Sequence, residues 1–538
     1  MKSSSNGSRK ILPVDIVIIV ALIALVIALV GILSGGNDDN GKIVDTNGDG
    51  QVTLADYSGK KIGSITGVNY DDIINKCVPG SEIMYYANYA DMIVALKSGM
   101  VDAIILDEPV LYAISRQDPS IAGIPEDMKP WDMSFIFSPK PNCDLLLSQM
   151  NMFIEECKED GTMEELQTIW FGDDESKKII PPLTDLSGEA GVVNVALESV
   201  YEPIVYIKDK TIVGFEVDLL YRFCQKYNYS LVLNDMDFDA ILPAVSVGKY
   251  DIGASGMSYN EEHAESVRMS TPHYSTGTLL AVPASDLGMG NTANDSFSLS
   301  GMIDKVKSSV NKNFVKEDRW QLIVKGIGTT CLITFISILA GSIMGFGICL
   351  LRRTDSRLAN PICNAYTRFI QGIPMVILLM ILFYVVFGKS KISSVCVATI
   401  GFTLIFAASA SEIIQSGLNS IDNGQREAAL ALGYTDTQAF FRFLFPQAAL
   451  RFIPLYCIEM ITLLNDTSIV GYIAVQDVTK MSDIVRSRSY EAALPLITST
   501  LIYFLLAKVI SLVMDRLFKT IQPKRIKPED KTMIGGED

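Results

Sequence analysis

The sequence predicts a multidomain membrane protein in which a two-lobed α/β domain precedes an all-α transmembrane block. Three observations predict it. About half of the 538 residues are hydrophobic and the mean hydropathy is positive, the signature of a chain that meets a bilayer. Five apolar stretches lie between residues 319 and 520, each close to the ~20 residues that cross a hydrocarbon core. Between residues 41 and 285 a polar block repeats one pattern, "MIVALKSGMVDAII" (92–105) and "ILPAVSVGKYDIGA" (241–254): a helical apolar set, a glycine, then a short strand opening with Asp.

In chain order, residues 1–40 are a cytoplasmic N-terminus and a membrane anchor. The stretch "ILPVDIVIIVALIALVIALVGIL" (11–33) follows Lys2, Arg9 and Lys10 and precedes Asp38 and Asp39. The excess of positive charge before it places the N-terminus inside and the next segment outside. It carries no AxA-like site and no nearby cysteine for lipid, so it reads as an uncleaved anchor, with a cleaved signal as the alternative. A net charge of −16 argues against nucleic acid as the main partner. The nine cysteines form no CxxC and no Cys/His cluster, so neither a metal centre nor a redox pair is indicated, and no disulfide is assigned.

Residues 45–56, "DTNGDGQVTLAD", fit a twelve-residue calcium loop, with Asp45, Asn47, Asp49, Gln51 and Asp56 at ligand positions and Gly50 at the turn. No helix precedes it and position twelve is Asp, so Ca²⁺ binding and an Asx/Gly-rich spacer both stand as readings. Beyond it, "KKIGSITGVNYDDIINK" and "VVNVALESVYEPIVY" each read strand then helix. Two lobes of similar build result, and ligands of such folds sit beyond the carboxyl ends of the strands, here in a cleft between the lobes.

At "GFEVDLLYRFCQKYNYSL" (214–231), "DFDAILPAVSVGKYDIGASGMSYNEEHAESV" (237–267) and "DGTMEELQTIWFG" (160–172) the exported block resembles the periplasmic-type solute-binding proteins for polar amino acids. The order is permuted. Residues 55–141 are similar to the second lobe, 143–172 to the C-terminal helix that links the lobes, and 191–283 to the first lobe. One binding domain in permuted order is the simplest count, a tandem pair with large deletions the alternative. The resemblance implies a ligand site of Gly67, Asn69, Asp107, Glu198, Tyr201, Ser255, Gly256, Ser258 and His263. Asp107 would bind an ammonium; Gly67 sits at a strand-to-helix turn whose N–H groups suit a carboxylate. The family has Thr-x-x-Arg where Asn260 and His263 stand here, so the bidentate carboxylate clamp is replaced by a mostly neutral imidazole.

After a linker at 286–318, five spans are expected at 321–351, 365–388, 393–415, 450–474 and 493–515, with a cytoplasmic tail at 521–538. This topology puts "LRRTDSR" (351–357) and the loop 416–449 inside, but leaves Lys389, Lys391, Lys480, Arg486 and Arg488 outside. Residues 320–350, 368–376, 412–448 and 465–469 resemble the permease subunit of ABC-type polar amino acid importers. In "GQREAALALGYTDTQAFFRFLFP" the residues Glu427, Ala428 and Ala429, the break at Gly433, then Phe441 and the stop at Pro446 match the EAA loop, which the resemblance implies is seated in a groove of an ATPase. The apolar face of Phe440, Phe441 and Leu444 is expected to enter that groove.

No GxxxxGK[ST] occurs in the chain, so ATP hydrolysis is expected from a separate ABC ATPase subunit. A single EAA loop implies a homodimer in the cell membrane, in contact with lipid. The resemblance therefore implies the fold of an ABC type I importer and the function of a substrate-binding and permease subunit. The alternative is a ligand-gated sensor or channel built on a solute-binding domain. No enzymatic motif supports catalysis by this chain.

Overall fold

The structure is a computed structural model; it describes residues 52–289 and 306–522, apart from 67, 69, 129, 259–266, 355, 356, 389, 391, 490 and 492. The anchor 11–33, the first seven positions of the calcium-like loop and residues 290–305 of the linker lie outside the described residues.

The exported block has two large sheets and a small antiparallel one of β8 (Val200–Tyr201), β9 (Val205–Lys208) and β10 (Thr211–Val213). In the first, β1 (Lys61–Ile65) pairs in parallel with β2 (Glu82–Tyr86) and with β3 (Ala103–Asp107). The central strand β3 is apolar and buried throughout, because helices cover the sheet on either side, while β2 at the edge is partly exposed. In the second, β7 (Gly191–Leu197) lies between β11 (Tyr229–Asp235) and β12 (Ile252–Gly253), all parallel. The helices before the repeated strands, Tyr89–Lys97 and Phe238–Ser246, end at Gly99 and Gly248, both at positive φ.

In chain order the first lobe is built on β1–β3, from the residues similar to the family's second lobe, and the second lobe on β7, β11 and β12; the two do not close separately. Strand β14 (Tyr274–Pro283) leaves the second lobe and pairs antiparallel with β3 and with β4 (Ile121–Gly123) in the first. Conversely, β6 (Ile136–Phe137) leaves the first lobe and pairs with β12 and β13 (Arg268–Met269). Two antiparallel segments, 130–137 and 268–283, thus cross between the lobes, with β5 (Pro130–Met133) on β14. The sequence reading placed the connection in 143–172 because periodicity marks a strand without marking its partner. Residues 143–172 instead form two helices, Cys143–Glu159 and Thr162–Phe171, packed on the second lobe through Phe153 on Phe223 and a Trp170 Nε1 hydrogen bond to Asp218 of 3.0 Å. All nine cysteines are free.

Among the described residues, the membrane block has four helices long and apolar enough to span, Trp320–Arg352, Ser394–Asn419, Asp436–Ile473 and Ala493–Ile521. The stretch expected as one span at 365–388 is instead a broken pair, Ala359–Gln371 and Met375–Val386, bent by 105°. Pro374 explains the break: it has no N–H to donate, and its ring drives Ile373 out of the helical region. Long exposed side chains such as Phe335, Ile343, Val385 and Val509 face outward from the block.

The Trp320–Arg352 and Ser394–Asn419 helices meet along small residues, as spans do where backbones approach closely. A Cβ on Gly345 would lie 2.8 Å from the Ala407 carbonyl oxygen and 2.9 Å from the Ala410 Cβ. Gly345→Leu is therefore expected to destabilise the block by at least about 1–3 kcal/mol, the usual cost of overpacking. A lowered thermal midpoint of the purified chain, against an unchanged one for Gly347→Leu, checks this, since nothing lies within 4 Å of a Cβ at Gly347.

Candidate functional site

Asp107 ends β3 and is the N-cap residue of the Glu108–Gln117 helix, yet its side chain makes no cap hydrogen bond. The carboxylate turns into the interlobe cleft, where it accepts from Tyr70 Oη at 2.8 Å and, from the opposite lobe, from Tyr201 Oη. Tyr89 stacks on Tyr201, ring centroids 5.0 Å apart. Gln117 of the first lobe donates to Glu202 of the second at 3.1 Å. The cleft is therefore closed, with Asp107 inside a box of three tyrosines. Burial pushes the Asp107 carboxyl up to about 7, against the pull of the Tyr70 hydrogen bond.

On the second lobe, Glu198 follows β7 and is buried beside this box. Its N–H donates to Ser255 Oγ at 2.8 Å, and Ser255 Oγ donates to the Glu198 carbonyl at 3.1 Å. Ser255 sits at φ +94°, a strained backbone for a residue with a Cβ, of the kind that clusters at binding sites. Gly256 takes the ring of Tyr201 against its α-carbon: a Cβ there would lie 2.6 Å from the ring. The resemblance puts Ser255 and Gly256 at the ligand, where their N–H groups would be free to bind it. They are instead held by the buried Glu216 carboxylate at 2.6 and 3.0 Å, and the His273 ring nitrogen Nε2 lies 3.0 Å from Glu216. An acceptor two residues into the "GFEVDL" helix reaches them first. Ser258 is half-buried and bridges Met133. Gly67, Asn69 and His263 lie outside the described residues.

Of the candidate ligands in the calcium-like loop, Asp56 alone is among the described residues. One of its carboxylate oxygens accepts from Thr53 N–H at 2.8 Å and Thr53 Oγ1 at 3.1 Å, closing a capping box on Leu54–Tyr57. That local role accounts for an Asp at this position.

The closed receptor rests on the outer end of the membrane block through the Val478–Ser489 helix. Lys480 Nζ is 2.6 Å from Asp237 and 3.8 Å from Glu198. Arg486 pairs with Asp91 of the first lobe, and Arg488 with Glu202 and, at 3.3 Å, with Glu317. These are the basic residues that charge asymmetry left on the outer side. The acidic receptor supplies partners for these three, which accounts for their outer position; Lys389 and Lys391 lie outside the described residues. The helix touches both lobes, so its fit depends on their closure. Arg488 is 7 % exposed, and its removal strands the largely buried Glu202, while Glu317 keeps Arg319 at 3.2 Å. Arg488→Met is expected to cost about 3–5 kcal/mol of docked-state stability; hydrogen exchange of residues 197–206 in the full chain reads the loss.

At the other end of Trp320–Arg352, about 50 Å away at 1.5 Å per residue, lies the 416–449 loop. Asp422 caps the Asn423–Ala431 helix by accepting from Gly424 N–H at 2.7 Å. The helix ends in a Schellman motif: Tyr434 N–H donates to the Ala429 carbonyl and Gly433 N–H to that of Leu430, with Gly433 at φ +86°. Thr435 and Gln438 then form a capping box that starts the next helix. Arg426 and Arg353 both pair with Asp436, fixing the angle between the two.

Two expectations for this loop are corrected. Pro446 does not stop the second helix: a wide turn at Phe440–Leu444 runs into Phe445–Asp466, and a proline at the second position of that helix lacks only a donor the wide turn does not need. The face of Phe440, Phe441 and Leu444 is also divided. Phe440 and Leu444 are buried within the chain, with Arg353 over the Phe440 ring, while Phe441 is 50 % exposed. Glu427 and Ala428 are exposed and Ala429 is buried; Leu432 is 77 % exposed.

Residues 337–527 match the family of binding-protein-dependent transport system inner membrane components. Residues 193–423 match the bacterial extracellular solute-binding proteins, family 3, a match that opens at β7. The arginine transport system permease protein ArtQ of Bacillus subtilis (strain 168) is 33% identical over 196 residues, covering 36% of this chain and 88% of the relative. The probable amino-acid ABC transporter permease protein YckA of the same organism is 30% identical over 198 residues, covering 37% and 88%. The chain belongs to the amino-acid ABC transporter permease family. Among solved structures, an amino acid ABC transporter crystallised with histidines is 25% identical, covers 42% of this chain and 99% of that one, and gives a TM-score of 0.35.

This permease is thus a multi-pass membrane protein, a transporter subunit and not an enzyme, with a solute-binding domain in the same polypeptide. Sequence reasoning found Asp107, Glu198 and Tyr201 in it. It missed Tyr70, Tyr89, Glu216 and His273, and the pairing of Lys480, Arg486 and Arg488. For the basic trio the signal was present, as positive charge on the wrong side of the membrane.

Proposed function

We propose that this permease is the substrate-binding and pore subunit of an ATP-driven importer for a polar amino acid, acting as a homodimer on a cytoplasmic ABC ATPase. One observation carries the reading: a closed two-lobed receptor sits on the outer end of the spans while a capped, glycine-broken helix pair projects at the inner end. Relatives are named for arginine, cystine and glutamine transport. Each of those solutes carries an α-ammonium, which the buried carboxylates of Asp107 and Glu198 suit. Half-exposed Phe441 and exposed Leu432 are the apolar side chains the inner loop offers to the ATPase. The outward side chains of the spans meet lipid and a second copy.

The charge state of the cleft gives a pH dependence. Burial pushes Asp107 up to about 7 and Glu198 up to about 8, the latter against the pull of Lys480. Both carboxyls are raised, so at pH 6 they are largely protonated, and an incoming ammonium must displace those protons. Binding of L-glutamine or L-arginine is expected to release protons and to tighten as pH rises from 6 to 8.5. Calorimetry in buffers of different ionisation enthalpy checks both signs.

The function is tested by co-purifying the chain with its ATPase in nanodiscs and screening L-arginine, L-cystine and L-glutamine for stimulation of ATP hydrolysis. Stimulation by at least one, with no hydrolysis by the chain alone, supports the reading. Hydrolysis by the chain alone contradicts it.

A further inference from the structure

The cluster of Glu198, Asp235 and Asp237 on the second lobe needs a cation that the receptor does not itself supply. Glu198 is 6 % and Asp235 5 % exposed. Asp235 accepts from Ser199 N–H at 2.9 Å and from Gln476 at 3.3 Å, neither of them charged. Among the described residues, no lysine or arginine of residues 52–289 pairs with any of the three. Among the described residues, the one cation that reaches them comes from the membrane block. Lys480 is 4 % exposed, projects from the Val478–Ser489 helix and lies 2.6 Å from Asp237 and 3.8 Å from Glu198. Burial alone would push its ammonium towards neutrality, but Asp237, Asp235 and Glu198 outweigh this and hold it charged. A buried carboxylate cluster without a counter-ion is costly, so a receptor lifted off the membrane block must find another cation or protonate.

Glu198 also borders the tyrosine box around Asp107, where the proposed reading puts the ligand's ammonium. We propose that Lys480 is an internal counterpart of that ammonium: the pore subunit inserts its own cation at the acidic mouth of the cleft, so that docking of the receptor and retention of a cationic ligand group draw on the same carboxylates. A ligand that helps close the lobes away from the membrane is then opposed by Lys480 once the receptor seats, and it is released towards the pore. This rests on the assignment of Glu198 to the ligand site, and its test is independent of transport.

The test is chemical rescue in the full-length chain. Lys480→Ala removes the ammonium and leaves room for a small one. The thermal midpoint of Lys480→Ala is expected to fall by several degrees, the shift that ~1–2 kcal/mol gives a domain of this size. Adding ethylammonium chloride should restore it, while equal ionic strengths of sodium or tetramethylammonium chloride should not, and the wild type should not respond. If Lys480→Ala yields no folded chain, the added changes Glu198→Gln and Asp237→Asn should recover it by removing the stranded charge. A variant rescued neither by the alkylammonium nor by neutralising the acids, or one as stable as the wild type, overturns the proposal. None of these outcomes depends on which solute is carried, so a wrong importer assignment would show separately, as absent substrate-stimulated hydrolysis.

Discussion

Gly433→Val is expected to abolish substrate-stimulated ATP hydrolysis while leaving ligand binding to the exported block unchanged. The reason lies in the backbone. Gly433 holds φ +86° at the residue after the helix cap, and nothing lies within 4 Å of where a Cβ would stand. The obstacle to valine is therefore conformational strain alone, ~1–2 kcal/mol for an ordinary side chain in the left-handed region and more for a β-branched one. That cost is met by unwinding the Schellman turn. The carbonyls of Ala429 and Leu430 then lose their donors, and the Asn423–Ala431 helix loses its angle to the Asp436–Ile473 span. Substrate binding is made about 50 Å away across the block, so it should survive. Gly433→Asn is the control, since asparagine tolerates the left-handed region; it should retain most of the stimulation. Hydrolysis assays on the three complexes, paired with calorimetry, distinguish lost coupling from a lost site.

Asp107→Asn is expected to weaken amino-acid binding by about 10–150-fold, the value of one charge-assisted hydrogen bond of roughly 1.5–3 kcal/mol. The amide keeps its oxygen as acceptor for one tyrosine hydroxyl and turns the other contact round, its NH2 donating to the second hydroxyl oxygen, so the tyrosine box and lobe closure should persist. What is lost is the negative charge that meets an ammonium. Asp107→Ala removes both, and should also loosen the closed state. Small-angle scattering on the full chain should report a change for Ala and none for Asn. Equal binding by Asp107→Asn and the wild type would place the ammonium elsewhere in the cleft.

Much of this was legible in the residues. The repeated helix–Gly–strand units were readable because each ends in a buried parallel strand, which must be apolar on both faces. Gly433 was readable because few other residues tolerate the conformation that ends its helix. Asp107 stood out at a strand end, where α/β folds keep their ligand groups. The exchange of β6 and β14 between lobes was not legible, because an antiparallel edge strand has the same local pattern whichever sheet it completes. Nor was the burial of Phe440 and Leu444. A helix shows which residues share a face, but not whether that face meets its own chain or a partner. Glu216 was hidden for a related reason: its part in holding Ser255 and Gly256 depends on a contact across 39 and 40 positions of sequence.

The account rests on one claim above the others, that this chain carries its own receptor to its own pore. Uptake in proteoliposomes holding only the full-length chain and its ATPase, with ATP inside and no free binding protein added, measures it directly. The account predicts accumulation of L-arginine, L-cystine or L-glutamine, lost on Asp107→Ala and on Gly433→Val. Uptake that appears only when a separate binding protein is supplied, and that is indifferent to Asp107, would contradict it.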